Sequence, residues 1–411
     1  MKSIFFILSA LVMNTTLTLG QHFEEKKLSG KDFDKVNVQV GADFAMQYQS
    51  LEHSADNTEL IPLGKGFNLP TANLNLKANL APGLKVNLVT YLSSRHHPEA
   101  WVKGGYMLID QLPFFNSVAL DNIMEYLTIK VGVMEINYGD AHFRRSDNGY
   151  VISNPFVGNY IMDGFTTAVA GEFMVRNNGW LAMAALSNGS LKPELSKYNA
   201  GNDSYSAYNT VDELALYWKA GFDKQLNEIV RLRATLSGYH NPKNHFGSLY
   251  NGDRAGSRYY LVMKPQTGSP SDTDPASNHT TGHWGPGTTD KNNAIMFNLF
   301  AKLKGLEFFG TYETTSGTSA FGGADYDFDQ IAIEGIYRFG KDENLFAGIR
   351  YNKVSNDKDM SVNRIQVGAG WFLTKNIVAK IEYVDQKYNE FSNFGDNAGF
   401  NGLMVETGIS F

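Results

Sequence analysis

The sequence predicts an all-β fold, a transmembrane antiparallel up-and-down β-barrel of about sixteen strands with long external loops and one inserted constriction loop. Three observations predict it. The last ten residues, from Gly402 to Phe411, alternate Leu403, Val405, Thr407, Ile409 and Phe411 with small or polar residues. A strand with one lipid-facing side pairs all its backbone groups only inside a closed barrel. At the other end, Lys2, an apolar run over 4–13 and Thr18-Leu19-Gly20 read as a secretory signal peptide over residues 1–20. That run falls short of the roughly 18 apolar residues of a membrane-spanning helix, and no later stretch reaches that length. Finally, 40 Gly, 21 Tyr and 27 Phe accompany only 12 Pro, at a mean hydropathy of −0.28. This is too polar for a helical membrane protein and suits strands with one wet face.

Period-2 alternation marks sixteen segments: 36–49, 67–80, 84–93, 101–112, 126–137, 165–176, 180–187, 211–223, 228–240, 294–303, 306–316, 328–340, 345–354, 363–374, 377–388 and 402–411. The clearest outward faces are Val36/Val38/Val40/Ala42/Phe44/Met46/Tyr48, Ile365/Val367/Ala369/Trp371/Leu373 and Ile377/Ala379/Ile381/Tyr383. Connections alternate in length. Tight turns such as Ala81-Pro82-Gly83, Asn177-Asn178-Gly179, Lys304-Gly305 and Lys375-Asn376 fall on the side expected to be periplasmic, with 113–125 as an exception that reads as a short helix beneath the wall. Longer polar connections, 138–164, 188–210 and 241–293, fall on the other side. An alternating stretch at 257–263 would make the strand number odd and is assigned to the last of these loops. The predicted organisation is a signal peptide over 1–20, a polar periplasmic lead over 21–35, either mobile or tucked into the lumen, and the barrel over 36–411.

If the apolar parity faces lipid, the other parity lines the interior. It carries Lys77, Lys85, Lys130, Arg231, Arg233, Arg338, Arg350 and Arg364 as lumen-lining basic candidates, with Arg176, Lys219, Lys302 and Lys380 beside them. Asp43, Glu172, Glu213, Glu307, Glu313, Glu334, Glu382 and Glu406 are the inward acids. Twelve bases against eight acids make the wall net positive, although the chain carries −6, or −7 without the leader's Lys2. That contrast predicts either a mild anion preference or charges that simply pair across strands. The stretch 139–149 opens a long external connection and can fold inward, which makes Asp140, His142, Arg144, Arg145 and Asp147 the constriction-loop candidates.

The run Leu120 to Gly139, an Asp-led segment into a Gly-centred strand, resembles the phosphate-selective porin O/P family. Asp163-Gly164-Phe165, Val169-Ala170-Gly171-Glu172 and Leu186-Ser187-Asn188-Gly189 are similar to that family's next hairpin. The likeness covers 67–189. It implies a sixteen-stranded homotrimeric porin, integral to a Gram-negative-type outer membrane, passing small hydrophilic or anionic solutes. It does not imply phosphate selectivity, because the inward bases are interleaved with acids.

Other functions find less support. No nucleophile, base and orienting group assemble into a catalytic set, so no enzyme activity and no catalytic residue is expected. The chain has no Cys, and His96-His97 or His279 with His283 do not make a four-ligand site, so no metal and no cofactor is expected. The acidic balance gives no footprint for nucleic acid. An accessory or adhesive barrel that binds a protein partner through its long loops is the alternative to a porin.

Overall fold

A computed structural model of the chain describes residues 21–28, 33–92, 100–146, 149–189, 196–199, 201–202, 204–207, 213–243, 247, 249–250 and 258–411. The expected signal peptide, Asp147 and His96-His97 lie outside the described residues. Sixteen strands form the wall: β1 (Asn37–Ser54), β2 (Thr71–Ala81), β3 (Leu84–Leu92), β4 (Ala100–Ile109), β5 (Leu127–Glu135), β6 (Thr167–Asn177), β7 (Trp180–Ser187), β8 (Ala215–Gln225), β9 (Val230–Asn241), β10 (Thr289–Leu303), β11 (Leu306–Ser319), β12 (Asp325–Phe339), β13 (Leu345–Asn356), β14 (Ser361–Thr374), β15 (Ile377–Asn389) and β16 (Ala398–Ser410). Each pairs antiparallel with its neighbours in sequence, and β16 returns to β1 with Asp43 opposite Ser410. Phe411 adds a reciprocal backbone pair with Ala42 at 3.0 Å in both directions. The sheet is therefore a closed barrel with no free edge, the one sheet form that leaves no ladder group facing lipid.

The expected parity holds. In β14, Ile365, Val367 and Trp371 are exposed outward, while Arg364 and Gln366 on the alternate positions are buried. Trp180, Tyr337, Phe339 and Trp371 face outward near the tight-turn ends, where aromatic rings suit the membrane–water boundary. Boundaries shift at several ends: β8 starts at Ala215 rather than 211, and β2 starts at Thr71, with Gly66–Phe67 bridging separately to β1. The expected helix is α1, Val118–Met124, capped by the Ser117 side chain. Residues 258–263 form no strand, and Tyr259, Tyr260 and Val262 turn into the barrel and are buried. No helix among the described residues is long and apolar enough to cross a membrane. Strands do the crossing.

The wall is uneven. Strands β2 to β8 have 8 to 11 residues, whereas β9 to β16 have 12 to 15. Two segments fill the lumen beside the tall side, namely 136–166 and the described part of the connection between β9 and β10. Their apolar residues form a core inside the barrel, where Ile161 and Met162 of the first join Tyr259 and Val262 of the second and Val354, Val362 and Val384 of the wall. A barrel of this girth would otherwise hold bulk water. Here folded loops take its place.

Candidate functional site

The inserted segment starts at Gly139, whose φ of +67° is left-handed and whose absent Cβ would lie 2.2 Å from the Met296 sulfur. Only glycine turns the chain inward there without strain. The next residue, Asp140, is fully buried and anchors the segment to the wall. Arg233 grips it with Nε to Oδ2 at 2.8 Å and Nη2 to Oδ1 at 2.7 Å, while Lys219 Nζ lies 3.0 Å away and Thr235 donates at 2.7 Å. Burial alone would raise the Asp140 carboxyl, but Arg233 and Lys219 hold it well below the usual carboxylate range. His142 follows, with Nδ1 on Glu135 and Nε2 3.2 Å from Asn137. Burial lowers its pKa against the opposing pull of Glu135.

Arg144 and Arg145, two of the constriction-loop candidates, are buried and paired. Arg144 pairs with Glu334 at 2.8 Å and donates to the Gln21 side chain, and Arg145 pairs with Asp163 at 2.7 Å. Both guanidiniums are buried, Arg144 between segment and wall and Arg145 against Asp163 and Phe165 of the segment itself, where a charge persists only with a partner. The wall arginines behave alike. Arg231 meets Asp223 at 2.8 Å, Arg338 meets Glu307 at 2.9 Å, and Arg350 meets Glu334 at 2.8 Å and the Gly158 carbonyl at 2.8 Å. Arg364 donates to Gln386 and to the Asn159 and Gly282 carbonyls, which holds both filling segments to β14 and β15. Of the inward lysines, Lys380 is paired with Glu406 and Lys85 with Glu25. The strand pattern placed these side chains inside, and most of them pair with carboxylates of neighbouring strands, while Glu25 of the leading segment meets Lys85.

Among the described residues, open space lies against β1 and the short strands that follow it. A cavity of about 470 Å³ runs along β1 to β6 and is bounded on its inner side by Gly149 and Tyr150 of the inserted segment. Lys77, Lys103 and Lys130 line it with Asp43, Glu135 and Glu25, among Asn73, Asn75 and Asn87. Lys77 is solvent-exposed, and Lys130 sits over the Tyr106 ring at 4.2 Å. Among the described residues neither has a carboxylate within ion-pair distance. Sequence reading missed Lys103, because an irregularity in the β3–β4 ladder after Val89 puts it on the lumen side, where Nζ reaches Asn73 Oδ1 at 3.5 Å.

Near the external mouth, His283 accepts the Asp163 backbone N–H at 3.1 Å. Burial, with Arg364 and Arg145 nearby, pushes its pKa down to about 3, so it is a neutral acceptor at ordinary pH.

No family profile matches the chain, and no curated protein matches it in sequence. Solved structures do match in shape. The anion-selective porin from Comamonas acidovorans is 11% identical, covering 92% of this chain and 100% of that one at a TM-score of 0.53. OprB of Pseudomonas putida is 8% identical, over 92% and 94%, at 0.52, and the channel DcaP of Acinetobacter baumannii is 10% identical, over 92% and 98%, at 0.51. At such identities the likeness establishes fold alone. Together with the closed ladder and the outward apolar band, it makes the chain an integral outer-membrane protein built on a porin-type sixteen-stranded barrel.

Proposed function

We propose that the chain is an outer-membrane diffusion channel that passes small hydrophilic solutes down their gradients, without cofactor or catalysis, and that it assembles as a homotrimer. The observation that carries this reading is the inserted segment 136–166, which is clamped to the tall wall and, among the described residues, leaves a polar cavity along β1 to β6 that we read as the passage. A passage bounded by fixed charges and amides selects by size and field. Its three lysines and three carboxylates balance, so the preference for anions is weak and rests on Lys77 and Lys130, which line the passage with no carboxylate within ion-pair distance among the described residues, although Glu25 lies near enough to Lys130 to offset part of its charge. The trimer draws support from the short wall, which offers a flank for packing, and from the trimer form in which OmpT of Vibrio cholerae is described. Kinship with the phosphate-selective porins rests on residues 120–139 and 163–189.

The test is single-channel conductance of purified protein in planar bilayers under a salt gradient, with phosphate added as competitor. Ohmic steps with a small anion-directed reversal potential support the reading. Phosphate block would restore the narrower specificity, whereas a silent barrel that co-purifies with a protein would favour the accessory role.

A further inference from the structure

Residues 21–28 precede the wall and belong to no strand, yet they lie across the bore. Their partners reach from β3 to β10. Glu25 binds Lys85 of β3 at 2.5 Å and accepts from Tyr106 of β4, while its carbonyl accepts from Arg176 of β6 at 2.7 Å. Glu24 takes both terminal nitrogens of Arg233 on β9, at 2.6 and 2.7 Å, with Lys219 of β8 at 3.6 Å. Phe23 is buried edge-on between Phe143 of the inserted segment and Phe300 of β10, at ring distances of 5.8 and 5.5 Å, under the Arg233 guanidinium at 4.2 Å. Gln21 closes the end by donating to the Phe143 carbonyl and accepting from Arg144, both at 3.0 Å.

The position in depth follows from the wall. Lys85 opens β3 just after the tight turn at 82–83, Arg231 and Arg233 begin β9 just after another, and Lys27 donates to the Glu125 carbonyl after α1 at 2.8 Å. These all belong to the tight-turn end, so the segment sits below the inserted loop. Glu25 there forms part of the lining of the open passage. The segment is held by side chains and an aromatic anchor, with no ladder pairing, which makes it separable from the barrel without breaking the wall.

We propose that residues 21–28 are a displaceable plug that caps the periplasmic mouth of the passage and sets its resting conductance. This rests on the channel reading above. When the plug leaves, the mouth widens and the carboxylate of Glu25 goes with it. Lys85 and Lys130 then face the path with one counter-charge fewer. Displacement therefore has two signatures at once, a larger conductance and a shift toward anions.

The experiment compares the full-length wild type with Phe23→Ala/Glu24→Gln in planar bilayers, after heat-modifiable gel mobility has verified folding. The variant should conduct at least about two-fold more per channel and move its reversal potential toward anions, because pore width and lining charge set both. The chain has no Cys, so Lys27→Cys/Glu125→Cys can be joined by a short bifunctional thiol reagent. The tether should return the variant to the wild-type conductance, and in the wild-type background it should abolish excursions to the larger state. Failure of the tether to form overturns the plug. A conducting wild type with an unchanged variant overturns the plug and leaves the channel standing, whereas silence of both overturns the channel reading and the plug with it. If the variant does not fold, the tether in the wild-type background decides alone.

Discussion

Asp140 and Arg233 form a bidentate ion pair inside the barrel, with Oδ1 and Oδ2 each under 3 Å from a guanidinium nitrogen and both side chains out of contact with solvent. This pair fastens the inserted segment to β9 and so decides which side of the lumen stays open. Breaking a buried pair by removing one partner leaves an uncompensated charge and costs about 3 kcal/mol or more. Asp140→Asn should lower the unfolding free energy of the detergent-solubilised barrel by that order, read as a fall in its urea midpoint, and raise open-channel current noise. An unchanged midpoint would mean that other contacts hold the segment.

Selectivity should follow Lys77 and Lys130 rather than the arginines. A unit charge about 4 Å from a permeating ion is worth about 1 kcal/mol in water, roughly a five-fold change in relative permeability. Lys77→Glu or Lys130→Glu should shift the reversal potential toward cations by that order. Arg144→Gln and Arg145→Gln should change it less while lowering thermal stability, since Glu334 and Asp163 already neutralise them. The opposite ranking would place the arginines back in the path.

Acid should loosen the external packing through His283. Its folded pKa of about 3 lies below the unfolded value of 6.5, so the unfolded state binds the proton first. The contribution is full above 6.5 and is lost as pH falls toward 3, about 2 kcal/mol by pH 5. Stability of the wild type should decline between pH 7 and 5, and His283→Gln should flatten that slope. Parallel slopes would remove His283 as the cause.

Parity can be tested at two wall positions. Val367 is half-exposed on the outer face, where an arginine near mid-bilayer costs about 2–4 kcal/mol. Val367→Arg should reduce unfolding free energy in lipid by that order. Lys77→Gln, inside the lumen, should stay within about 0.5 kcal/mol of wild type. Equal costs would mean that one of the two faces is misassigned.

Alternation and turn chemistry, with the leader pattern at residues 1–20, determined the barrel, its strand number, its compartment and most of the side chains that point inward, Lys103 being missed at a ladder irregularity and Glu213 lying exposed before β8. They could do so because a lipid-facing strand has a strict period of two and a closed sheet allows no leftover edge. Gly402 to Phe411 and the short turns such as Lys304-Gly305 carried that information locally. Whether an inward charge is available to a solute was decided only in three dimensions. Arg350 looks the same in sequence as Lys130, yet one is closed off by Glu334 and the Gly158 carbonyl and the other lines the passage. Some partners lie across the ladder, as Glu334 does for Arg350, but those that fasten the inserted segment to the wall are far away in the chain, 190 residues in the case of Arg144 and Glu334. Their meeting depends on how the loops fold into the lumen, and strand periodicity does not encode that.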